Sequence, residues 1–148
     1  MIISFFGHSD FRETNEVELK ISALLEKLVG DVPVQIYLGG YGAFDSFAYR
    51  CCKKYKSKHP NTSLIFITPY ITPEYQKNHL QAISKSYDCI IYPEIEEKPL
   101  KFAISYRNKW MVDKSDVIIA YISRNFGGAY DAYAYAVKRN KTIFNIAE

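Results

Sequence analysis

The sequence lacks the features that mark several specialised classes of protein. It has three cysteines, two of them adjacent, so it offers neither an even disulfide framework nor the CxxC spacing of a zinc site. No apolar run is long enough to span a membrane. The opening segment, MIISFFGHSD, has neither a basic n-region nor a small-residue cleavage site. We therefore expect a cytoplasmic protein without membrane contact.

The net charge is small and histidines are few. The formal net charge is +3, which is too small to demand an acidic polymer as partner. Two basic clusters, at 53–59 and 138–141, close predicted helices, where cations complement the helix dipole, and no base-stacking motif is interleaved with them. His59 and His79 lack metal-ligand spacing. Nucleic acid is therefore disfavoured as a partner, and neither a metal nor a cofactor is expected.

Short apolar runs predict the strands of a sheet. They are rich in β-branched and aromatic residues and do not alternate with polar ones, which is typical of strands buried on both faces of a parallel sheet. The six runs are 2–6, 34–38, 64–68, 89–92, 117–122 and 142–146.

Helical periodicity fills the segments between these runs, most weakly at 72–86. A chain of 148 residues fits one domain, and strand and helix alternate along all of it. The sequence therefore predicts the α/β class: a single Rossmann-like domain, residues 1–148, with a mostly parallel sheet of about six strands and helices on both faces.

Glycines follow three of the predicted strands, at the edge where ligands bind in such sheets. The three segments are Gly7-His8-Ser9, Gly39-Gly40-Tyr41-Gly42 and Gly127-Gly128. Glycine lets backbone N–H groups approach an anion closely, and the dipole of the following helix favours negative charge. One such turn is usually only a tight connection, but two on one edge favour an anion or nucleotide site.

Several polar side chains accompany these turns. Asp45 lies in the first turn of a predicted helix, where it either complements the dipole or binds a ribose or base. Arg107 shares a helix face with apolar residues, so its charged head needs a partner: a carboxylate in a buried ion pair, or a phosphate or ribose. Asn108 is adjacent and could serve the same pocket. His8 could act as an acid–base group.

These segments together resemble the SLOG superfamily, which groups Smf-type DNA-processing proteins with LOG, or lysine decarboxylase-like, proteins. GGYGAFDSFA is similar to the Smf-type GGARGID turn at Gly39, Gly40 and Asp45. RNKWMVDKSDVIIA is similar to a LOG segment at four positions, and Gly127-Gly128 fall where LOG proteins carry P-G-G-x-G-T-x-x-E. The four matching positions are Arg107, Met111, Ser115 and Asp116. The resemblance implies a Rossmann-like fold with a nucleotide-related ligand.

The sequence departs from the LOG pattern where those enzymes do their chemistry. LOG enzymes cleave nucleoside monophosphates to a base and ribose 5-phosphate, and their last motif supplies a catalytic glutamate. Here Phe126 replaces the proline, Tyr130 and Asp131 replace Gly-Thr, and Ala134 stands near the glutamate position. Asp131 is the nearest carboxylate. The similar nucleoside deoxyribosyltransferases also need a glutamate that is absent here.

The predicted function is therefore binding of a nucleotide or nucleotide-derived ligand, as a sensor in bacterial or phage nucleotide signalling. The alternative is an enzyme that cleaves an N-glycosidic bond, a phosphoribohydrolase or deoxyribosyltransferase-like protein, with Asp131 or Asp45 as its acid. Tyr130, Tyr133 and Tyr135 could serve a homodimer or half-buried core. The predicted ligand-binding residues are Gly7, His8, Ser9, Gly39, Gly40, Tyr41, Gly42, Asp45, Arg107, Asn108, Met111, Gly127 and Gly128.

Overall fold

The six apolar runs form the six strands of one sheet. The computed structural model describes residues 1–148, and each strand lies within two residues of its predicted bounds. The strands are β1 (Ile2–Gly7), β2 (Val34–Leu38), β3 (Thr62–Ile67), β4 (Cys89–Ile91), β5 (Val117–Tyr121) and β6 (Thr142–Asn145).

Five helices connect these strands: α1 (Asn15–Leu28), α2 (Gly42–Lys58), α3 (73–83), α4 (Ala103–Lys114) and α5 (Gly128–Lys138). The weakly periodic segment is α3, where Pro73 occupies the first turn and Thr72 caps the N–H of Tyr75. Its middle part, Gln76–Leu80, is π-helical. A 3₁₀ turn, Leu100–Phe102, leads into α4.

All strands are parallel, in the order β4-β3-β2-β1-β5-β6. The chain builds outward from β1 to β4 and then returns to the other side of β1 with β5. The loops after β1 and β5 therefore lead away from each other and leave a crevice, which is the topological switch point at which open α/β sheets bind ligands.

Two layers of helices cover the sheet. The core on one face includes Ile21 and Leu25 of α1 and Phe44 of α2. The core on the other face includes Met111 of α4 and Ala136 of α5. This confirms the predicted Rossmann-like α/β architecture with helices on both faces. No helix combines the length and the apolar composition needed to cross a membrane.

Candidate functional site

A cavity of about 190 Å³ opens at the switch point, between the loops that follow β1, β2 and β5 and the amino-terminal half of α4. It brings together ten of the thirteen residues predicted to bind a ligand. Those ten are Gly7, His8, Ser9, Gly39, Tyr41, Asp45, Arg107, Asn108, Gly127 and Gly128.

Three of the predicted ligand residues lie outside this cavity. Gly40 lines a different cavity, beside Phe66, and Gly42 packs against the backbone of Ser9. Met111 is completely buried in the core between α4 and the sheet, so its side chain reaches no surface. Asp131 is exposed and lines a smaller neighbouring cavity of about 90 Å³ rather than the switch-point cavity.

The glycine turn at the start of α2 is closed by the chain itself. The N–H of Tyr41 donates to Asp45 Oδ2 at 2.7 Å, and the N–H of Ala43 donates to the carbonyl of Ser9 at 2.9 Å. Gly42 has φ +85°, and a Cβ there would lie 2.6 Å from the Cα of Ser9. Two N–H groups that could have met an anion are thus already used, one within the turn itself and one to join the β1 loop to α2.

Gly40 is required by the fold of this turn. Its φ is +69°, and an added Cβ would lie 2.3 Å from Cε2 of the buried Phe66 ring. We expect Gly40→Ala to lower the free energy of unfolding by about 2 kcal/mol, measured by urea denaturation. Gly128→Ala is the matched control, because a Cβ there meets nothing within 4 Å and φ is not positive. Equal effects of the two substitutions would contradict this role for Gly40.

The turn at the start of α5, in contrast, is open. Gly127 is its N-cap at φ +97°, and no side chain caps the helix. The first N–H with an acceptor is that of Asp131, which donates to the carbonyl of Gly127 at 3.0 Å. The N–H groups of the three preceding residues are free, and a Cβ on Gly127 or Gly128 would meet nothing within 4 Å. This is the arrangement that binds anions at helix N-termini.

Arg124, in the loop after β5, adds a cation to this open helix end. Its Nη1 donates to Asp10 Oδ2 at 3.0 Å, whereas its Nε is buried without any hydrogen-bond partner. The hydrogen bond from Arg124 also lowers the pKa of Asp10. A buried, unpaired guanidinium N–H is costly, so Arg124 is held in the cavity wall at the expense of one hydrogen bond. Sequence reasoning missed Arg124, because nothing in its local sequence separates it from a surface arginine.

His8 joins the loops after β1 and β5. Its Nε2 accepts from the N–H of Ser123 at 3.0 Å, which requires Nε2 to be unprotonated. Burial and then the Arg124 cation lower the pKa of His8. The imidazole is therefore held neutral at neutral pH, with its proton on Nδ1. In this arrangement His8 holds together the loops after β1 and β5, which line the cavity.

Arg107 lies almost completely buried at the bottom of the cavity, with 2% of its surface exposed. Its Nη1 donates to the carbonyls of Gly39 (3.0 Å) and Ile67 (2.6 Å), and its Nε donates to Asn108 Oδ1 at 2.9 Å. It makes no salt bridge, so the buried ion pair considered from the sequence is absent. Arg107 instead connects the carboxyl ends of β2 and β3, and its burial lowers its pKa.

Asp45 is the buried carboxylate of the cavity. Burial raises its pKa to about 7, and this effect outweighs the opposing hydrogen bond from Tyr41 and the charge of Arg107. Of the two carboxylates considered for N-glycosidic cleavage, Asp45 lies in the switch-point cavity and Asp131 does not.

Similarity to known proteins is visible in structure rather than in sequence. No family profile and no curated protein matches the sequence. The structure is similar to that of DNA processing protein A from Helicobacter pylori, with a TM-score of 0.64 and 22% identity over 98% of this chain and 64% of that one. This chain has the fold of the DprA proteins.

Two further structures share this fold. DprA from Streptococcus pneumoniae aligns with a TM-score of 0.64 and 15% identity, over 97% of this chain and 49% of that one. The structural-genomics target TM1055 aligns with a TM-score of 0.58 and 10% identity, over 96% of this chain and 71% of that one. The expected SLOG-like fold is thereby confirmed. The present chain spans only about half to two thirds of the two DprA chains.

The expectation that nucleic acid is disfavoured as a partner is wrong. The Helicobacter pylori protein, which shares this fold, is described by its mode of binding single-stranded DNA. The expectation rested on basic clusters at the ends of α2 and α5, at the opposite edge of the sheet. Cations and aromatic rings at the carboxyl edge, such as Arg124 and Tyr41, come from separate loops and form no linear motif.

Proposed function

We propose that the switch-point cavity binds the phosphate of a nucleotide, and that the protein acts as a binding or sensing domain for such a ligand. The observation that carries this proposal is the uncapped N-terminus of α5, which lines the cavity together with Arg124. Free backbone N–H groups and a guanidinium together complement a phosphate dianion.

The polar lining suits a sugar phosphate better than a free anion. Ser9 and Asn108 line the same cavity and can hydrogen-bond to ribose hydroxyls. The cavity, at about 190 Å³, is smaller than pockets that enclose a whole drug-sized ligand. We infer that it takes the phosphate and part of the ribose, while the base lies outside it.

Arg124→Ala tests the phosphate site. We expect it to weaken AMP binding about tenfold or more, because one charge-assisted interaction with phosphate is lost, and to leave adenosine binding unchanged. Isothermal titration calorimetry at fixed ionic strength measures both. Arg139→Ala is the matched control, since Arg139 lies at the other end of α5 and pairs with Asp113. Equal losses for AMP and adenosine would place the phosphate elsewhere.

A single strand of DNA is the second candidate ligand, and the likeness to a DprA protein with a described single-stranded DNA binding mode favours it. A strand would place one of its phosphates in the same cavity. The Arg124→Ala protein should then bind a labelled oligothymidylate more weakly, and AMP should displace that strand from the unmodified protein. Strand binding that survives both changes would not involve this cavity.

A further inference from the structure

Exposed apolar side chains concentrate at the carboxyl edge of the sheet. Five of the nine large apolar residues that remain exposed lie in the loops or turns that lead from a strand to the next helix at this edge. They are Tyr41, Ile71, Leu100, Phe102 and Phe126. An apolar surface concentrated beside a polar cavity marks a place where a ligand or partner is bound.

An aromatic cluster occupies the part of this edge beyond β2 and β3, and consists of Tyr41, Tyr70, Tyr75 and His79. The rings of Tyr70 and Tyr75 meet edge to face at 5.2 Å between centroids, and those of Tyr75 and His79 lie 4.8 Å apart. Tyr70, Tyr75 and His79 line an open cavity of about 510 Å³, and Leu100 also lines it.

Tyr41 connects this aromatic cluster to the switch-point cavity. It lines the switch-point cavity, and its ring centroid lies 5.8 Å from the guanidinium carbon of Arg107. The loop that carries Tyr41 follows β2, and the loop that carries Tyr70 follows the neighbouring strand β3. A ligand anchored in the switch-point cavity can therefore extend past Tyr41 toward the loop that follows β3.

The polar groups of the 510 Å³ cavity suit a base better than a second phosphate. Glu74 and Asn78 line it, and a carboxylate and an amide can hydrogen-bond to the edges of a base. Lys101 is its one cation, opposed there by the Glu74 carboxylate. Base–aromatic stacking tolerates any base, because every base has a π-face.

We propose that the base of the bound nucleotide stacks on the aromatic cluster, chiefly on Tyr75 and Tyr41, while its phosphate occupies the switch-point cavity. This proposal rests on the proposed function, which supplies the phosphate anchor. It assigns to Tyr75 a role in affinity for the base and none in affinity for the phosphate.

The test compares three probes on the same protein: AMP, CMP and ribose 5-phosphate. We expect the unmodified protein to bind the two nucleotides about tenfold more tightly than ribose 5-phosphate, in keeping with stacking of one base. Tyr75→Leu should reduce that ratio to about one and leave ribose 5-phosphate affinity unchanged. Tyr41→Leu provides a second variant at an exposed position, in case the first disturbs α3.

Tyr106→Leu is the matched control, because Tyr106 is a half-buried tyrosine on α4 that lines neither cavity. It should keep the full ratio, and thermal melts should show that all variants fold. If both nucleotides bind no better than ribose 5-phosphate, or if the ratio survives in Tyr75→Leu and Tyr41→Leu, the base does not stack here, although the phosphate site stands. If none of the three probes binds, the proposed function itself fails.

Discussion

Arg107→Ala is expected to lower the free energy of unfolding by about 4 kcal/mol. The substitution leaves the carbonyls of Gly39 and Ile67 without their donor and opens a cavity where the side chain was completely enclosed. Unpaired buried carbonyls cost about 1–3 kcal/mol each, and the lost packing adds to this. Release of the guanidinium from its buried position offsets part of the loss.

Urea denaturation at pH 7 measures this effect, and Arg50→Ala is the matched control. Arg50 lies on the exposed side of α2 and pairs with Glu13, so its removal should change stability by less than about 1 kcal/mol. A loss below about 1 kcal/mol for Arg107→Ala would show that β2 and β3 do not depend on this side chain. Arg107 would then have no role in stability, and its role would be limited to binding a ligand.

Asp45→Asn is expected to stabilise the protein at high pH. The pKa of Asp45 is raised from 3.8 to about 7 by burial, so the folded protein holds this proton more tightly than the unfolded chain does. The stability that Asp45 contributes is therefore complete below about pH 4 and is lost as pH rises through 7. A shift of this size corresponds to about 4 kcal/mol between pH 4 and pH 8.

Asparagine keeps an oxygen that can accept from the N–H of Tyr41 but cannot ionise. The variant and the unmodified protein should thus have similar stability near pH 4, and the variant should be more stable by about 4 kcal/mol at pH 8. Denaturation curves across this range give the difference directly. Asp131→Asn, at an exposed carboxylate, should show no such divergence. A variant less stable than the unmodified protein at pH 8 would contradict the raised pKa.

The strands and helices could be predicted because their signal is local. Strands buried on both faces are apolar throughout, and amphipathic helices repeat their apolar residues every three or four positions. The same reason explains why the helical period of segment 72–86 is weak. No residue of its helix, 73–83, is buried, so it has no apolar face to produce a clear period.

The candidate site could be predicted only in part. Glycine turns and Arg107 could be placed at one edge because the carboxyl ends of parallel strands share an edge. Met111, by contrast, matches the resembled motif and yet faces the core. Arg124 was missed because its relevance depends on a contact with Asp10 and on a buried Nε. Residues 114 positions apart in the sequence give no joint signal.

Two similar glycine turns, at the starts of α2 and α5, differ in whether their backbone N–H groups are free, and this difference decides where the candidate anion site lies. The sequence by itself determined the class of fold, the order of strands and helices along the chain, and the edge of the sheet at which the glycine turns lie. These follow from local periodicity and from the geometry of parallel sheets. Only the tertiary structure decided which turn is open. The carbonyl of Ser9 and the carboxylate of Asp45 occupy N–H groups at the start of α2, while nothing in the folded chain reaches those at the start of α5. Asp45 is local to its turn, but the carbonyl of Ser9 comes from another segment, and its position is fixed only when the chain folds.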